Sequence, residues 1–251
     1  MKEILKTTLS LIVILLFSTL TLEAKTPKSK GSKTSVLVVR GGHHYDSPAF
    51  EKMCESLKGV DVDLMLNAHL YAMKIDEIKE KYDAILFFDQ NKRYPELKRN
   101  KKLYMDLTDA GIGMVFLHFT LSSQPDWDEY HELVGGKWFL RSHTKDKSKV
   151  SKYYPEKTVD IKIVDPEHPI TAGISDFTLT DTYYGKIYMR NGITSLLTSD
   201  DTDVAPSIAW TQKYNNSKVV YIMPGFSKGA FENPSYKKLV ANALKYVGAQ
   251  D

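Results

Sequence analysis

Four apolar runs recur in the first half of this chain: "SVLVVR" (35–40), "VDVDLML" (60–66), "YDAILFFDQ" (82–90) and "MVFLHFT" (114–120). Each is followed by a segment with helical spacing. After the first run, Phe50, Met53, Cys54 and Leu57 fall at i, i+3, i+4 and i+7, with Ser47 as the expected cap and Pro48 in the first turn. Helices are likewise expected over Ile75–Lys81, over 94–113 ("YPELKRNKKLYMDLTDAGIG") and over 126–136 ("DWDEYHELVGG"), the last two closed by Gly111 and by Gly135-Gly136. Strands that alternate with helices of this length need right-handed crossovers. Such crossovers lay the strands mainly parallel, with helices on both faces of the sheet.

The second half changes character. Segments 157–174, 176–190 and 203–225 read as strands and hairpins, with Asn215-Asn216 as the last turn. Asn233-Pro234 then opens a final helix with Tyr236, Leu239, Val240, Leu244 and Val247 inward. One domain over 35–248 is the economical reading, with a β-rich excursion between about 145 and 205.

The N-terminus reads differently. Lys2 and Lys6, an apolar stretch over Leu9–Phe17 and the small Ala24 give residues 1–24 the layout of a secretory signal peptide, so the body is expected to be exported to the periplasm. An apolar stretch of about 13 residues is short for a bilayer span. Residues 25–34 are expected to form a lysine-rich flexible tail. The formal charge of +3 sits in that tail: residues 1–24 cancel, 25–34 carry four lysines, and the body keeps about −1. A near-neutral body argues against nucleic acid as a partner. Cys54 is the single cysteine, which rules out an intrachain disulfide; on the core face of its helix it reads as a buried structural thiol.

Candidate chemistry collects at the carboxyl ends of the expected strands, where open α/β sheets bind ligands. Gly42, His43 and His44 follow the first strand, Asp89 ends the third, His118 ends the fourth, and His143 follows the "GGKWFLRS" turn. Imidazole serves as a general base and as a ligand of zinc-like cations. His43, His44 and His118 are therefore the catalytic candidates. His44 and His143 are the candidate ligands of a divalent metal. His131, on a helix, and His168, in "DPEHP", are set aside as structural. Serine and cysteine nucleophile elbows, HExxH and Walker sequences are absent.

Taken together, "VLVVRGGHHYDSPAFEKM", "GIGMVFLHFT", "WDEYHELVGGKW", "IVDPEHPITAGISDFTLTDTYY" and the stretch from Pro206 to Val247 resemble the ThuA-like (trehalose utilisation) family. The resemblance implies a class I glutamine amidotransferase-like fold: a flavodoxin-like three-layer sandwich, here with β-hairpin additions in the second half. It implies the amidotransferase nucleophile is lost, a carbohydrate ligand, and a link to sugars oxidised at carbon 3. Gly42, Asp89, Trp127, Asp181 and Tyr183 are the expected substrate contacts. Two departures stand out: Asp181-Thr182 where the family usually has Asp-Glu, and Gly225-Phe226 where it often has Gly-His. The expectation is an enzyme that abstracts a proton next to a sugar ketone, with elimination, hydrolysis or isomerisation to follow. A sugar dehydrogenase is its expected functional partner. The alternative is a non-catalytic sugar-binding domain.

Overall fold

The computed structural model describes residues 33–91, 101–142 and 144–249. The expected leader, most of the lysine tail, the first part of the 94–113 segment and His143 lie outside the described residues. In chain order the elements are β1 (Thr34–Gly41), α1 (Ser47–Glu55), β2 (Val60–Leu66), α2 (Asn67–Leu70), α3 (Ile75–Lys81), β3 (Ala84–Asp89), α4 (Lys101–Asp109) and β4 (Gly113–Leu117). A 3-10 turn at His118–Ser122 leads to α5 (Asp128–Val134), β5 (Gly136–Lys137), β6 (Lys152–Ile163), β7 (Phe177–Gly185), β8 (Tyr188–Met189) and β9 (Thr194–Thr198). Then come β10 (Ala209–Tyr214), β11 (Ser217–Ile222), α6 (Lys228–Glu232) and α7 (Pro234–Gly248).

Nine strands form one sheet in the order β2-β1-β3-β4-β11-β10-β9-β6-β7. The first five run parallel, and β10, β9, β6 and β7 extend them antiparallel. With β11 as the fifth strand, the parallel half has the flavodoxin-like order 2-1-3-4-5. Every residue of β3 and β4 is buried, as expected of parallel strands covered on both faces.

Consecutive phenylalanines show the three layers. Phe87 stacks on Phe116 at 4.8 Å and on Tyr104 of α4 at 5.3 Å, and Phe116 meets Tyr130 of α5 at 6.0 Å. Phe88 points the other way, stacking on Phe50 of α1 at 4.2 Å and meeting Phe231 of α6 edge-on at 6.0 Å. Gly113, three residues before Phe116, lies on the face of α1 and α6. A Cβ there would sit 2.1 Å from the Val247 carbonyl oxygen, so α7 crosses β4 at a distance only glycine allows.

Capping of α1 differs from the expectation by one residue. Asp46 is the cap, its Oδ1 accepting from the Ala49 amide at 3.1 Å, and Ser47 is already helical. The carboxylate satisfies a first-turn N–H, the role expected of Ser47. Asn233 caps α7 as expected, accepting from the Tyr236 amide at 3.1 Å. Asn215 turns the β10–β11 hairpin with φ +49°. Cys54 is buried, and burial pushes its thiol up to about 12, which leaves it an inert core side chain.

Candidate active site

A cavity of about 470 Å³ opens over the carboxyl ends of the parallel strands. His43 follows β1, Gln90 follows β3, His118, Phe119 and Ser122 follow β4, and Phe226 follows β11; all line it. The antiparallel half adds Tyr153, Pro155, Thr182 and Tyr184, and the segment after β5 adds Trp138 and Leu140. Aromatic rings make most of the wall. Among the described residues no Asp, Glu, Lys or Arg lines it.

His118 is the most constrained of these residues. It leaves β4 with φ +45°, a left-handed conformation that costs a non-glycine residue about 1–2 kcal/mol. Such strain persists where surrounding contacts fix it. Here the Tyr221 hydroxyl donates to the His118 carbonyl at 2.9 Å, and the Tyr130 hydroxyl donates to the Thr120 carbonyl at 3.0 Å. The His118 ring lies against Phe226 (5.2 Å) and Tyr184 (4.7 Å). Its Nδ1 donates to the Met223 carbonyl at 2.6 Å, which makes Nε2 the free nitrogen. Burial lowers the imidazole to about 4, against the opposing pull of the Asp181 carboxylate, so the ring is neutral at pH 7.

His43 is held by a different set of contacts. Its ring stacks on Phe119 at 4.6 Å and meets the edge of Phe226 at 5.6 Å. Its Nδ1 donates to the His44 carbonyl at 2.7 Å, again leaving Nε2 free. His44 is exposed and does not line the cavity. The turn that separates the pair depends on Gly42, which has φ +75° and approaches Gln90 so closely that a Cβ would lie 1.9 Å from its carbonyl oxygen. Gly42 therefore shapes the turn by backbone approach and does not line the cavity.

The other expected contacts sit behind the wall. Asp181 is buried and accepts from three backbone amides, Gly225 (2.6 Å), Phe226 (3.1 Å) and Ser227 (2.9 Å). It thereby holds the loop that carries Phe226. Asp89 is buried below Gln90, its Oδ2 accepting from Asn91 (2.8 Å) and Asn67 (3.3 Å). Burial pushes this carboxyl up to about 7. Trp127 belongs to the core, edge-on to Tyr104 at 5.7 Å, and Tyr183 is fully buried with its hydroxyl donating to the Leu179 carbonyl at 3.1 Å. Neither Trp127 nor Tyr183, both expected at the ligand, lines the cavity, whereas Trp138 and Tyr184 do. Side chains of a strand alternate, and Thr182 and Tyr184 take the cavity face of β7 while Asp181 and Tyr183 take the other.

Among the described residues no group of three or more His, Cys, Asp or Glu is placed to hold a metal ion. Of the two expected ligands, His44 stands outside the cavity and His143 lies outside the described residues. Among the described residues that line the cavity, His43 and His118 are the two that carry an imidazole.

The family model for ThuA, trehalose utilisation, matches residues 35–247. No curated protein matches the sequence. The fold is similar to that of a ThuA-like protein from Parabacteroides merdae, with TM-score 0.69 and 13% identity, covering 87% of this chain and 91% of that one. A cytoplasmic protein from Salmonella typhimurium aligns with TM-score 0.58 and 19% identity over 84% of this chain and 98% of its own. A glutamine amidotransferase from Thermotoga maritima aligns with TM-score 0.53 and 12% identity over 86% and 99%.

Proposed function

Because this chain belongs to the ThuA family, whose trehalose utilisation links it to carbohydrates, we propose that its cavity binds a sugar oxidised at carbon 3 and moves the proton at carbon 2. The observation that carries the reading is the pair of imidazoles, each with Nδ1 tied to a backbone carbonyl and Nε2 left free in an aromatic-walled cavity. Locked tautomers are what a general base needs, and flat aromatic walls suit the apolar C–H faces of a pyranose.

The two histidines take different roles. His43 lies at the exposed edge, where the imidazolium formed by proton abstraction is hydrated, so it is the base. A proton on buried His118 would be desolvated, so His118 Nε2 accepts a hydrogen bond from a sugar hydroxyl and orients the ring. His43 Nε2 takes the carbon-2 proton, and the C–H electron pair becomes an enolate with the carbon-3 carbonyl. Among the neutral donors that line the cavity, the Thr182 hydroxyl and the Gln90 amide, which also donates to Ser122 at 2.7 Å, serve that oxygen. Collapse of the enolate expels the carbon-1 substituent, which leaves as an alcohol with the proton returned by His43. The products are an enone and an alcohol; addition of water to carbon 1 completes a hydrolysis. The 3-keto ring itself must come from a sugar dehydrogenase.

Turnover of a 3-keto-glucoside by purified protein tests this reading. Loss in His43→Ala with retention in His44→Ala supports it; unchanged turnover in both His43→Ala and His118→Ala overturns it. One observation favours a binding domain without chemistry: Thr182 stands where the resemblance expects an acid, and no carboxylate lines the cavity among the described residues. Calorimetric sugar binding without turnover over long incubation selects that alternative.

A further inference from the structure

Tyr153 stands out in the antiparallel half because it is 64% exposed and yet lines the mouth of the cavity. The backbone places it there. β6 and β7 pair Tyr153 with Tyr184 and Tyr154 with Tyr183, and the next pair is Lys157 with Asp181. Three steps along β6 match two along β7, so one extra residue bulges out. Glu156 takes φ +49°, and Pro155, which has no N–H to give to a ladder, sits in the bulge.

The extra residue sets which side chains face the cavity. Alternation puts Tyr153 and Pro155 on the face of Tyr184 and Thr182. Carried upward from Lys157 and Asp181 without the bulge, the register would turn Tyr153 to the opposite face, because a slip of one residue inverts a strand. Bulges beside active sites re-aim side chains in this way. Here the re-aimed side chain is a solvent-facing ring next to a cavity that already holds two histidines.

We propose that Tyr153 and Pro155 form a second subsite, stacking the outer ring of an uncharged disaccharide or longer glycoside whose inner ring lies at His43 and His118. The inference rests on the sugar reading above and adds the substrate class: at least two rings, without phosphate or carboxylate. The absence of charged side chains from the described wall excludes the usual partners of an anion. A cavity of about 470 Å³ is within the range that encloses a ligand larger than a few heavy atoms. The exposed tyrosine offers a large, rigid apolar face at its open end.

Calorimetry on the full chain with glucose, trehalose, cellobiose and glucose 6-phosphate tests this. At least one disaccharide is expected to bind more tightly than glucose, and glucose 6-phosphate no more tightly. Tyr153→Ala is expected to weaken the disaccharide about three- to tenfold and leave glucose unchanged, with Tyr153→Phe keeping both affinities. Because the side chain is exposed, the variant retains the fold. Equal weakening of glucose and disaccharide, no change in either, or preference for glucose 6-phosphate overturns the subsite while sugar binding stands. If wild-type protein binds none of these sugars, the subsite is overturned, while turnover of a 3-keto-glucoside decides the reading for carbon-3-oxidised sugars separately.

Discussion

Two adjacent strands of the parallel half, β3 and β4, each end in a buried ionisable residue whose charged form is disfavoured, and the two residues have opposite fates. Asp89 is closed in by Asn67 and Asn91 and touches no part of the cavity. His118, at the neighbouring strand end, keeps one nitrogen tied to Met223 and presents the ring to the cavity. Burial alone therefore does not decide which strand-end group faces the cavity in this fold. What separates them is the backbone: β3 runs straight on through Gln90 to the buried Asn91, whose side chain closes over Asp89, whereas β4 breaks into a strained 3-10 turn that two tyrosine hydroxyls hold in place. A side chain on the strained turn leaves the sheet plane and reaches the crevice.

Substitutions at the two strand ends should separate activity from stability. His118→Ala is expected to lower kcat/KM for a 3-keto-glucoside about 100-fold, the scale of a lost orienting contact, with Asp89→Asn within tenfold of wild type. Steady-state kinetics decides this, and an equal loss in Asp89→Asn breaks the distinction. Asp181→Ala orphans three amides in the loop behind His118 and is expected to cost about 3 kcal/mol in chemical denaturation. A loss under 1 kcal/mol would show that the loop does not need its carboxylate.

The pH dependence of stability sharpens the contrast further. His118 is lowered from 6.5 to about 4, so the unfolded chain takes up its proton first and stability drains away as pH falls from about 6.5 towards 4. Asp89 is raised from 3.8 to about 7, so the folded chain keeps its proton longer and stability drains away as pH rises from about 4 towards 7. Between pH 5 and 8 each contribution amounts to about 2 kcal/mol, with opposite sign, and the two nearly offset. Asp89→Asn should therefore be less stable at pH 5 than at pH 8, and His118→Asn the reverse, in urea titrations at both values. Parallel profiles for the two variants would contradict the assignment. The smallest effect is expected at Trp127→Phe, about 1 kcal/mol of stability with sugar affinity unchanged by calorimetry.

The parallel half could be read from the sequence because strands buried on both faces leave unbroken apolar runs, as in Ala84–Phe88 and Met114–Leu117. The strand ends carrying His43 and His118 followed directly. Which member of a neighbouring pair faces the ligand could not be read locally. His43 is chosen over His44 by the positive φ of Gly41 and Gly42 and by the backbone of Gln90, which is distant in sequence. Tyr184 is chosen over Tyr183 by its register with β6, and that register depends on a bulge at Pro155. Trp138 lines the cavity in place of Trp127 because α5, between them, carries the chain from the core to the cavity side. The proline in an otherwise strand-like "KYYPEKTVDI" was the one local signal that the register changes there.

Proton exchange at carbon 2 tests the central claim most directly. A 3-keto-glucoside incubated with the protein in deuterium oxide and followed by proton NMR should lose its carbon-2 signal, with the loss abolished in His43→Ala and kept in His44→Ala. A bound 3-keto-glucoside whose carbon-2 proton persists in the presence of wild-type protein would contradict the account.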